Sequence, residues 1–81
     1  SQMQRCAVSI PSNIAEGYRR MSKKDSEHFY KFSFGSAGEL ETQIEISKRL
    51  GYSSPADVEK ASSLLLEVIK LLSSMLFKKK V

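Results

Sequence analysis

The stretch Ser9-Ile10-Pro11-Ser12-Asn13-Ile14-Ala15-Glu16-Gly17 decides how the chain is read. Pro11 stands inside an apolar pattern of helical period. Met3, Ala7, Ile10, Ile14 and Tyr18 follow one another at spacings of four, three, four and four, which is one helix face. A proline there removes one backbone donor and crowds the carbonyl of Ala7. It also pushes Ile10 away from helical angles. The stripe keeps its phase across Pro11 all the same, and so predicts one kinked, continuous helix over residues 1–20. The alternative makes Pro11 the first residue of a new helix, with Ile10 as a poor N-cap. Gly17 and the Arg19-Arg20 pair mark the C-terminal end.

Outward from this stretch, Ser22 is an N-cap with Asp25 three residues on, and Gly51 is a C-terminal stop. A second helix over residues 22–50 follows, about 43 Å long at the usual rise. Glu27 with Lys31, and Glu45 with Arg49, have the favoured order for i,i+4 pairs. The apolar residues of this helix, Phe29, Tyr30, Phe32, Phe34, Ala37, Leu40 and Ile44, spread over about 200° of the wheel. Ser33, Ser36 and Ser47 fall in the same arc and allow close helix approach. Gly35 and Gly38 each cost about 1 kcal/mol relative to alanine in a helix interior, and they suggest a second backbone packed against them.

Ser54-Pro55-Ala56-Asp57 is a clear helix start, with Ser54 as cap and Pro55 in the first turn. The third helix runs over residues 55–77. Val58, Ala61, Leu65, Val68, Leu72 and Met75 form its stripe, widened by Leu64, Ile69, Leu71 and Leu76, while Leu66 and Phe77 fall outside. Strand signals are absent, and the short connections imply antiparallel neighbours. The expectation is an all-α, single helical-bundle domain over residues 1–81. Its apolar surface exceeds what three helices hide, so a fourth helix or other subunits must cover the rest.

Composition narrows the function. Hydrophobic content of 41% and charged content of 27% fit a soluble globular protein, and no apolar run reaches the ~18 residues of a membrane span. A membrane is therefore not an expected partner. The single cysteine, Cys6, has no partner for an internal disulfide, which points to a reducing compartment, the cytoplasm. Cys6 reads as a small buried apolar residue and His28 as a surface or edge histidine. No nucleophile–base pair, phosphate loop or metal-ligand spacing is present. The reading is non-enzymatic, with no cofactor, no metal and no small-molecule substrate.

Two residue sets stand out. Arg19, Arg20, Lys23 and Lys24 fall at one end of an up-down-up arrangement, and Lys78, Lys79 and Lys80 return toward it. Seven of the thirteen positive charges thus gather at one end, as a phosphate-contacting patch. Solvated helix ends are the bland alternative, since Arg19, Arg20 and the C-terminal lysines also suit helix dipoles. The second set is polar: Asn13 and Glu16 beside the stripe of the first helix, Glu39 and Glu41 on the apolar arc of the second. These four are expected to form a buried seam that fixes helix register or a subunit contact. Tyr18, Tyr30 and Tyr52 read as core or interface aromatics, with base stacking as the functional alternative.

With the helices placed, the chain resembles the bacterial four-helix-bundle family encoded in intervening sequences of 23S rRNA genes. The resemblance rests on the stretch from Ser9 to Gly17, on Ser22-Lys23-Lys24, on Gly35-Ser36-Ala37-Gly38-Glu39-Leu40-Glu41-Thr42-Gln43, and on Lys48-Arg49-Leu50-Gly51-Tyr52. It implies an antiparallel up-and-down four-helix bundle, often a homopentameric ring, with no assigned enzymatic activity. Three of the four helices would be present here and the N-terminal one missing, in keeping with a start at Ser1 in mid-pattern. Relatives of the family include the accessory protein of diversity-generating retroelements, which binds nucleic acid and partners a reverse transcriptase. RNA, DNA or a ribonucleoprotein is the partner class this implies. A purely structural or protein-interaction bundle is the competing reading.

Overall fold

A computed structural model describes residues 2–77, and these form three helices: α1 (Gln2–Arg19), α2 (Lys23–Arg49) and α3 (Pro55–Phe77). No strand occurs among the described residues. α1 runs unbroken through Pro11, whose side chain is exposed. Pro11 leaves the Ala7 carbonyl without its usual donor. Around it, the carbonyls of Val8, Ser9 and Ile10 each accept a side-chain hydrogen bond, from Ser12, Asn13 and Ser33.

The caps follow the sequence. Ser22 Oγ accepts from the Asp25 amide at 3.1 Å and opens α2. At its other end Gly51 takes φ +74°, its N–H meets the Lys48 carbonyl, and the Tyr52 N–H meets that of Ser47. This is a Schellman ending, which needs a left-handed residue where glycine sits. Ser54 Oγ accepts from the Asp57 amide at 3.2 Å and opens α3.

α2 is the middle element. It runs antiparallel to α1, since Gly17 meets Ser26, Ile10 meets Ser33 and Cys6 meets Glu39 as one sequence descends and the other climbs. Its other flank carries α3. Among the described residues no Cα of α1 comes within 8 Å of one in α3. The principal-axis extents are 43 × 30 × 14 Å, which is flat along one axis. The three helices form a layer rather than a closed bundle. A radius of gyration of 13.9 Å, against about 12 Å for a compact chain of this length, says the same.

The core runs across this layer through Ile10, Ala37, Ile44, Val58 and Leu65, with Met3, Ile14, Leu40, Ala61, Val68 and Ile69 packed partly against it. Seven hydrophobic residues are buried while twelve large ones are exposed, so much apolar side-chain surface finds no cover within the layer. α3 shows why. Val58, Leu65 and Leu72 face inward, whereas Leu64 and Leu71, one position earlier in each turn, are 57% and 66% exposed. Leu66 and Phe77 also stay exposed, although the Phe77 ring meets Phe34 edge-on at 5.6 Å. The accessible surface is 6363 Å², against about 4,900 Å² for a compact monomer of this mass.

Two sequence expectations change here. Gly35 and Gly38 are exposed, and a Cβ on either would meet nothing within 4 Å, so among the described residues no backbone packs against them. The residue that needs to be glycine is Gly17. A Cβ there would lie 2.6 Å from Tyr30 Cε1 and 3.0 Å from the Ser26 carbonyl. Of the expected i,i+4 pairs, Glu45–Arg49 forms at 3.1 Å, but Glu27–Lys31 is not an ion pair. Glu16–Arg20 forms instead at 3.0 Å.

Candidate functional site

The α1–α2 turn gathers the charge. Arg19 closes α1, and the Arg20 amide reaches back to the Gly17 carbonyl at 3.2 Å in a tightened last turn. Lys23 and Lys24 open α2 directly after the Ser22 cap. All four basic residues are exposed. Arg20 is held in place: its Nη2 donates to Glu16 Oε2 at 3.0 Å, and its guanidinium lies 4.5 Å from the centre of the Phe29 ring. His28 continues this cluster, edge-on to Phe29 at 5.6 Å and to Phe32 at 4.8 Å. Arg19, Lys23 and Lys24 have no ion-pair partner among the described residues.

Helix dipoles treat these residues unequally. Arg19 sits at the negative end of α1, where a cation is stabilised. Lys23 and Lys24 sit at the positive end of α2, where cations are unfavourable and unpaired N–H groups attract anions. Helix stability therefore explains the arginine and leaves the lysines unexplained. Lys78, Lys79 and Lys80 lie outside the described residues. The last described residue of α3, Phe77, meets Phe34, which is eleven residues or about 16 Å along α2 from Lys23.

The signature stretch lies along the seam between α1 and α2. Ser33, fully buried, donates to the Ile10 carbonyl at 2.7 Å. Ser9 and Ser36 share a hydrogen bond of 2.9 Å. Ser26 donates to the Gly17 carbonyl at 2.8 Å, where the absent glycine side chain makes room for Tyr30. Cys6 Sγ donates to Glu39 Oε2 at 3.4 Å. Small side chains and short hydroxyl bridges let the two backbones approach.

Over residues 1–74 the sequence matches the family model of the 23S rRNA-intervening sequence protein. The chain belongs to that family. No curated protein matches it.

In this 23S rRNA-intervening sequence family member the four expected seam residues do not form one buried seam within the chain. Asn13 is half-buried and donates to the Ser9 carbonyl and hydroxyl on its own helix, at 2.9 and 3.0 Å. Glu16 is tied to Arg20 with its side chain 46% exposed. Glu39 is exposed apart from its bond to Cys6, and Glu41 is exposed with no side-chain partner among the described residues. The physical reason is the width of the apolar arc. α2 buries only the narrow line Ser33, Ala37 and Ile44, and the carboxylates sit outside it. Glu41 borders an open groove of about 570 Å³ with Ile44, Ile46, Arg49, Ser62 and Leu65.

The tyrosines also move. Tyr30 is half-buried against Gly17, but Tyr18 and Tyr52 are 84% and 80% exposed and belong to no core of this chain. Sequence reading placed Ser33 and Ser36 at a close helix approach, as found, but missed Phe29 as the platform under Arg20 and Ser26 and Ser9 as bridges. The helical spacing of Ser26, Ser33 and Ser36 was the available signal. Among the described residues no group of histidine, cysteine and carboxylate side chains is arranged to hold a metal ion. No described helix is long and apolar enough to cross a membrane.

Proposed function

We propose that this 23S rRNA-intervening sequence family member is a non-enzymatic, oligomeric helical-bundle protein whose basic end contacts the phosphates of RNA or DNA, free or within a ribonucleoprotein. One observation carries the reading. Lys23 and Lys24 are exposed and unpaired at the positive end of α2, beside Arg19 and Arg20, where they cost helix stability rather than add to it. Phosphate contacts at such a site bring sequence-independent, salt-sensitive affinity. Lys78, Lys79 and Lys80, outside the described residues, belong to the same proposed set of phosphate contacts.

The assembled form is a four-helix bundle, and by resemblance a homopentameric ring. The exposed stripe of Leu64, Leu71 and Met75 on α3 supports a further helical neighbour. A ring repeats the basic end once per subunit and multiplies its contacts. That same apolar stripe favours the second reading, a protein-interaction bundle with no nucleic-acid role. Replacing Arg19, Arg20, Lys23 and Lys24 together by glutamine and measuring RNA and DNA binding separates the two. Loss of affinity supports the basic end. Affinity retained in the variant would overturn the assignment to the basic end, and no affinity in the unaltered protein favours the interaction bundle.

A further inference from the structure

The aromatic residues at the basic end are not equivalent. Phe29 carries Arg20, His28 is wedged edge-on between Phe29 and Phe32, and Tyr30 fills the space that Gly17 leaves. Each of these rings has a partner within the fold, although His28 and Phe32 stay exposed beside theirs. Tyr18 is 84% exposed and makes no ring contact or hydrogen bond among the described residues. Ile14, one turn earlier on the same stripe, packs against the core, whereas Tyr18 stands in the last turn of α1, directly before Arg19 and Arg20.

An exposed ring beside unpaired cations is the combination that binds single strands: the cations track the backbone and the ring takes a base face. A duplex keeps its base faces stacked inside and offers the ring nothing. We infer that Tyr18 is a base-stacking platform, and that the nucleic acid taken up at this end is single-stranded. This rests on the nucleic-acid reading above and narrows its substrate class. Arg19 and Lys23, which both follow the ring in sequence, would hold the phosphates next to the stacked base. Arg20, already engaged by Glu16 and Phe29, would fix the shape of the end rather than grip the strand.

The test compares a short oligouridylate with an RNA duplex of the same length, using the unaltered protein, Tyr18→Ala, Tyr18→Phe and the quadruple glutamine variant. Tyr18→Ala should weaken oligouridylate binding about five- to 150-fold, the range for one stacked base. Its duplex binding and its salt dependence should not change, and Tyr18→Phe should bind as the unaltered protein does. The chain has no tryptophan, so quenching of tyrosine fluorescence by the oligonucleotide, lost in Tyr18→Ala, gives a direct second readout. Oligouridylate affinity unchanged in Tyr18→Ala, or single-strand and duplex affinity falling together, would overturn the inference. The underlying reading fails separately, when the quadruple variant binds as tightly as the unaltered protein.

Discussion

The hydroxyl of Ser33 donates to the carbonyl of Ile10 at 2.7 Å from a position with no solvent exposure, next to the proline of the signature. This bond is the fully buried member of the set of small-residue contacts that hold α1 and α2 close and in register. Ser33→Ala should lower stability by about 1 kcal/mol, the net worth of one hydrogen bond. Ser33→Leu should cost more, about 1–3 kcal/mol, because the seam has no room for it. Urea denaturation of the two variants checks the order, and an equal or stabilising effect of leucine would contradict the close approach.

The glycines give a prediction of opposite signs. Gly17→Ala should destabilise despite the better helix propensity of alanine, because its Cβ would run into Tyr30 and the Ser26 carbonyl. Gly35→Ala and Gly38→Ala meet open space in this chain and should each stabilise it by about 1 kcal/mol. Thermal melts across a range of protein concentrations add a further point. A loss of stability in Gly35→Ala that grows with concentration would mean that another copy packs against this face.

Leu64 and Leu71 lie on the exposed stripe of α3, away from the inward line of Leu65 and Leu72. Leu64→Glu with Leu71→Glu should leave helicity intact and reduce the mass in solution to that of a monomer. Circular dichroism and light scattering on the same samples read both quantities. Collapse of the helical signal would show instead that the stripe serves the chain's own fold.

Burial, and after it the hydrogen bond to Glu39 and the charge of that carboxylate, push the Cys6 thiol up; the Gln43 amide opposes them. The folded chain thus favours the protonated thiol over the unfolded chain. This contribution is complete below the unfolded-state pKa and is lost as pH rises through the raised folded-state value. Cys6 should react slowly with thiol reagents at neutral pH. Stability should fall in the alkaline range, and Cys6→Ala should remove that part of the pH dependence in denaturation midpoints.

The helices and their ends were legible in the sequence because caps and stops are local chemistry: Ser22, Gly51 and Ser54 do in space what their neighbours require. The unbroken α1 was legible because the phase from Met3 to Tyr18 outweighs one proline. The polar seam was not. A helical wheel places Glu41 on an apolar arc but cannot say how much of the arc a partner covers, and here the cover is one narrow line. Gly17 reads in sequence as a mark of the helix end, yet it lies inside α1 and its role appears only in space. Its value lies in the ring of Tyr30, thirteen residues away, and not in its own helix. The basic end was half legible. Arg19, Arg20, Lys23 and Lys24 meet through a short turn and the Ser22 cap already puts the lysines in the first turn of α2, while their exposure and lack of an ion-pair partner among the described residues are visible only in space.

The salt dependence of binding tests the basic end most directly. Affinity for a short single-stranded RNA, followed over a series of salt concentrations, should give a logarithmic slope of about −2, with Arg19, Lys23 and Lys24 each contacting one phosphate and Arg20 holding the shape of the end. The quadruple glutamine variant of Arg19, Arg20, Lys23 and Lys24 should bind weakly with a slope near zero. The same slope in both proteins would contradict the assignment of phosphate contacts to the α1–α2 end.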